Sequence, residues 1–107
     1  MKIVKSVTGI PIRLTPEQVE HIERRHPEML GQEERILEVL SSPDLVQEGD
    51  SATLIAVKHY SKTPLIEKYC AVVYREVNEE DGFVLPAYFT GKPSERRRLA
   101  SLQAHFS

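Results

Sequence analysis

The chain reads as an α+β domain: N-terminal helices packed on a four-stranded antiparallel meander, closed by a short C-terminal helix. Three observations predict this. Residues 15–42 carry apolar side chains at helical spacing. Residues 44–91 switch to runs of β-branched and aromatic residues. The turn-like stretches "GDS", "SKTP" and "NEEDG" separate those runs by connections too short for crossovers, which implies antiparallel neighbours. Helices first and strands after is the α+β order. A length of 107 residues fits one domain, 1–107, able to bury a core without disulfides.

Residues 2–14 alternate loosely around Gly9 and Pro11, which predicts an extended arm or a short broken hairpin. "LTPEQVEHIERRH" is the clearest element. Thr15 is a natural N-cap, Pro16 suits the first helical position, and Gln18 completes a capping box. Leu14 and Val19 are placed to form a hydrophobic staple. Pro27 disfavours helical geometry in the residue before it, so the helix should stop near Arg25 or His26. A second helix is predicted over "QEERILEVLSS", with Ile36, Leu37 and Leu40 on one face and Val39 beside them. Pro43 ends it. Strands follow in "DLVQE", "ATLIAVKHY", "IEKYCAVVYREV" and "GFVLPAYFTG". In the tail, Leu99, Leu102 and Phe106 fall at helical spacing. The helix residues Val19, Ile22, Ile36, Leu37 and Leu40 are expected to pack on Ile55, Val57, Val72 or Val73, and Leu85.

The net charge of −2 gives no bulk electrostatic reason for nucleic-acid binding, so such binding would need a local basic patch. The lone Cys70 has no internal disulfide partner. The start lacks an apolar signal region, and no apolar run approaches the length of a membrane span. A cytoplasmic location is therefore expected.

"HIERRHPEM" concentrates titratable and cationic side chains. At about 100° per residue, Val19, Ile22 and His26 share one stripe, and His21 and Arg25 share its neighbour. His26 thus extends the apolar face towards the sheet. It reads either as a hydrogen-bonded core or end-cap histidine, or as a proton carrier at a helix C-terminus. His21 and His26, five residues apart, diverge by about 140° and cannot jointly grip one metal. No ligand cluster or cofactor motif is visible, so metal-free, cofactor-free chemistry is expected. Glu17, Glu20 and Glu23 read as a solvated helix face. Further along, Lys58, His59, Tyr60, Lys68, Tyr88, Thr90 and Lys92 gather by topology at one sheet end, as a functional rim or as strand-edge protection. "ERRR" (Glu95 to Arg98) is a basic cluster that either stays solvated or holds phosphate.

The pattern "PIRLTPEQVEHIERRHPEM", then "SSPDLV", then "VLPAYFTGKPS" resembles a phage-associated family of the barnase–EndoU–colicin E5/D–RelE-like (BECR-fold) nucleases, over Ile12 to Lys92. The resemblance implies a small metal-independent RNA endonuclease, toxin-like or phage-derived, cleaving by attack of the 2′-hydroxyl. The alternative is a catalytically inactive RNA- or protein-binding module on the same fold. Under the resemblance the catalytic set is His21, Arg25, His26, Lys58, Tyr60 and Thr90, with His59, Lys68, Tyr88 and Lys92 binding substrate. RNA is the implied substrate, and an antitoxin or immunity-type protein the implied partner.

Overall fold

The computed structural model describes residues 1–101. The elements are β1 (Lys2–Lys5), β2 (Pro11–Leu14), α1 (Pro16–Arg25), a 3-10 turn (Pro27–Met29), α2 (Glu33–Ser41), β3 (Leu45–Glu48), β4 (Leu54–His59), β5 (Tyr69–Asn78), β6 (Asp81–Thr90) and β7 (Arg98–Ser101). All the strands join one seven-stranded sheet in the order β1-β2-β6-β5-β4-β3-β7.

This corrects the expected fold class. The sheet is seven-stranded and mixed, not a four-stranded antiparallel meander, and strands rather than helices dominate the described residues. Two departures account for the difference. The N-terminal arm is a hairpin, turning at Gly9 with φ +86°, and its second strand joins β6 in parallel through Ile12↔Gly82 and Arg13↔Phe83. The approach is tight. A Cβ on Gly82 would lie 2.6 Å from both the Arg75 carbonyl oxygen and Ile12 Cδ1, so this position needs glycine. At the far edge, the segment predicted as a C-terminal helix begins instead with β7, antiparallel to β3. An unpaired strand edge outweighs modest helix propensity in such a short segment. Leu102 and Phe106, the rest of that prediction, lie outside the described residues.

α1 starts as its sequence dictates: Thr15 Oγ1 accepts from the Gln18 N–H at 3.2 Å. The capping box is only half formed, because the Gln18 side chain donates to the Leu85 carbonyl instead, at 3.0 Å. Both helices pack on one sheet face. There Ile22, Ile36, Val39 and Leu40 meet Ala56, Cys70, Val72, Tyr74, Val84, Ala87 and Phe89, with Val19 and Leu37 at the margin. Ile55 and Val57 are not in this layer. They sit on the opposite face with Leu45 and Ala71, so the expected helix–sheet contacts are off by one residue along β4. Burial pushes the Cys70 thiol up to about 12, which keeps it neutral and unreactive.

Leu40→Ala should cost about 2–5 kcal/mol of stability by leaving a cavity between α2 and the sheet. Ile66, 89% exposed, should tolerate serine within about 0.5 kcal/mol. Urea unfolding midpoints of the two variants check the contrast.

Candidate functional site

The sheet face away from the helices, called the open face below, carries two rows of side chains across adjacent strands. Register places His59 on β4 beside Tyr69 on β5 and Thr90 on β6. The next row runs Leu45, Val57, Ala71 and Tyr88. The His59 and Tyr69 rings meet edge to face at 5.1 Å.

His26 completes the second row from outside the sheet. β2 pairs only with the start of β6, so the later half of that edge is free for α1. The Gln18–Leu85 hydrogen bond fastens the helix there. Pro27 stops α1, and His26 leaves helical geometry at φ −133°, ψ 81°, its N–H still bonded to the Ile22 carbonyl. Its ring then lies 5.8 Å from the Tyr88 ring. The side chain is 33% exposed, and Glu28 Oε2 stands 3.8 Å from Nδ1, within ion-pair reach of a protonated imidazole. His26 is therefore neither a sealed core residue nor a fully solvated one.

The other residues singled out from the sequence divide by location. His21 and Arg25 are exposed and flank a groove between α1 and the Leu85–Pro86 edge of β6, with His26 at its end. His59, Tyr88, Thr90 and Lys92 belong to the open face or its rim. Lys58, Tyr60 and Lys68 do not join them. Lys58 Nζ donates to the Ser42 carbonyl at 2.8 Å, and Lys68 Nζ to the Ser61 carbonyl at 3.1 Å. Tyr60 is on the helix side, its hydroxyl bonded to Glu38 and its ring stacked under Arg35 at 4.5 Å. Burial, aided by the Glu38 carboxylate, raises the Tyr60 phenol far above its ordinary value, so it stays a neutral donor.

Two parts of the open face escaped sequence reasoning. One is the path of residues 91–97, a strap that crosses that face from β6 to β7; the sequence marks Lys92 and Glu95 to Arg98 but not this crossing. Thr90 Oγ1 donates to the Lys92 carbonyl at 3.0 Å, and Arg96 grips Asp50 through bonds of 3.0 and 3.2 Å. The Glu48 N–H closes on the Arg97 carbonyl at 2.8 Å. The other is Gln47, 1% exposed, whose Nε2 donates to the Ser94 carbonyl at 2.6 Å. Its position two residues after Leu45 was the available signal, because alternation puts both on one face.

Among the described residues no group of three or more His, Cys, Asp or Glu is placed to hold a metal ion. Among them, too, no helix is long and apolar enough to cross a membrane. Comparison with protein-family models, curated proteins and solved structures finds no match. The nuclease resemblance therefore rests on the quoted residues alone.

The Arg96 guanidinium beside Asp50 holds that carboxyl below the usual carboxylate range. A lowered folded-state pKa gives stability that is full above the unfolded value of about 3.9. That stability is lost as pH falls through the lowered value. The Tm advantage of wild type over Asp50→Asn should thus be small but present at neutral pH, and should vanish in acid. A difference that stays constant from neutral to strongly acidic pH would show that this pair does not tether the strap.

Proposed function

We propose that the protein is a small metal-independent RNA endonuclease whose site lies where α1 ends against the open face. The observation that carries this reading is the approach of His26 to Tyr88, at the same sheet end as His59, Tyr69 and Thr90. RNA cleavage without a metal needs a base for the 2′-hydroxyl proton, an acid for the leaving 5′-oxygen, and donors or cations at the phosphate. This reading assigns each part to residues of the site. His26 is the principal proton carrier, half-exposed and backed by Glu28. His59 presents a second imidazole on the same face. The Tyr88 hydroxyl donates to a phosphate oxygen, Thr90 anchors the start of the strap through its bond to the Lys92 carbonyl, and the Tyr69 and Tyr88 rings offer surfaces on which unpaired bases stack.

Arg25 and Lys92 flank this region and supply positive charge locally, which a chain of net charge −2 does not supply in bulk. Arginine adds a bidentate fork for phosphate. His21 lines the adjoining groove with Arg25 and takes the secondary role of holding the RNA backbone. Lys58, Tyr60 and Lys68 are committed elsewhere and have no part in this proposal.

Purified protein incubated with total RNA should yield cyclic phosphate ends with and without EDTA. His26→Ala and His26→Gln should each lose about a hundredfold or more in rate while keeping the wild-type Tm. Loss of activity in EDTA, restored by a divalent ion, would overturn the metal-free chemistry. Wild-type rates in both variants would remove His26 from the mechanism. RNA binding without cleavage would leave the inactive binding module as the reading.

A further inference from the structure

Between the strap and the sheet lies a cavity of about 350 Å³, within the ~300–1,000 Å³ range of small-ligand pockets. Ile55, Val57 and Ala71 form its floor, Tyr88 one wall, and Gln47 and Glu95 are among its polar lining. It touches the His26 site through Tyr88, which faces both.

Gln47 is a buried polar residue set beside the apolar floor of Ile55, Val57 and Ala71. It is 1% exposed. Its Nε2 is satisfied by the Ser94 carbonyl, but its buried Oε1 has no hydrogen-bond partner. An orphaned buried acceptor is costly, and native proteins keep few of them without a functional reason. Leucine would fill the same space without that cost. The surroundings show what chemistry would repay it. The floor is apolar, the wall is aromatic, and both Gln47 Oε1 and the Glu95 carboxylate accept hydrogen bonds.

We propose that this cavity is a nucleobase subsite, holding a base adjacent to the bond addressed by His26. The choice of a nucleotide rests on the nuclease reading. The faces of a heteroaromatic ring suit the aliphatic floor and the Tyr88 ring, and an N–H on the ring edge supplies the donor that Oε1 lacks. Since Oε1 is buried, that donor reaches it as the strap shifts. The ion pairs at Asp50 and Glu48 that help hold the strap are exposed and yield readily, and the backbone bond at Glu48 fixes only the strap's far end, so the Gln47–Ser94 hydrogen bond is the tie that must open.

The test is titration of ¹⁵N-labelled protein with each of the four nucleoside 3′-monophosphates, and with inorganic phosphate. At least one nucleotide should shift the Val57 and Ala71 amides saturably, and phosphate should not. Gln47→Leu should weaken that binding about tenfold, the loss expected for one polar contact to a buried acceptor. Ala71→Leu, which narrows the floor, should weaken it as well. If Ala71→Leu fails to fold, Gln47→Leu alone decides. No saturable shift at these amides, equal shifts with phosphate, or wild-type affinity in Gln47→Leu would overturn the subsite. Binding at these amides in a protein that does not cleave RNA would leave the subsite standing and remove the nuclease. RNA cleavage with an unchanged KM in Gln47→Leu would do the reverse.

Discussion

The short parallel pairing of β2 with β6 governs the rest of the arrangement. β6 spans Asp81–Thr90, yet β2 pairs with it only at Gly82 and Phe83. The Arg13–Asp81 ion pair, at 2.7 Å, reinforces that contact at its start. Beyond it the edge of β6 must be covered by something else. Pro86 removes one N–H from the ladder there, as edge positions allow. The Leu85 carbonyl is taken by Gln18. A helix therefore lies where a strand would otherwise pair, and its C-terminal end comes level with Tyr88.

A bulge reinforces this. Between the pairs Tyr74↔Val84 and Val72↔Ala87, β5 has one residue, Val73, where β6 has two, Leu85 and Pro86. Bulges bend the strand that carries the extra residue and reset its facing. After this one, Ala87 and Phe89 join the helix-side core, while Tyr88 lies over Ala71 on the other face. Both rows of candidate site residues depend on that facing.

Much of this was legible locally. The capping signal at Thr15, the stop at Pro27, and the strand stretches around Val46, Ala56, Val72 and Val84 all follow from short-range chemistry. The parallel partnership of β2 was not, because nothing near Ile12 indicates a partner some seventy residues away. The choice of face along β4 was hidden for a different reason. "LIAV" is apolar throughout, as expected of a strand covered on both sides, so alternation does not say whether Ala56 or Val57 meets the helices. The same period of two split the expected rim. Lys58, His59 and Tyr60 do lie together along the chain at the end of β4. Consecutive residues nonetheless point to opposite faces, which sent His59 to Tyr69 and Tyr60 to Glu38.

His26 shows how the end of a helix redirects a side chain that a helical wheel would bury. The wheel places it on the stripe of Val19 and Ile22, which predicts a ring pressed between helix and sheet. A wheel assumes the helix continues, and Pro27 ends it one residue too soon for that. His26 keeps its backbone bond to Ile22 but turns its ψ to 81°. The side chain then escapes the core layer and comes beside Tyr88, a residue of the other face. Had the helix run one turn further, the imidazole would have been committed to the apolar layer with Ile22 and Met29. The proline thus does more than terminate an element: it moves a titratable group from the buried face of the sheet to the edge of the open one.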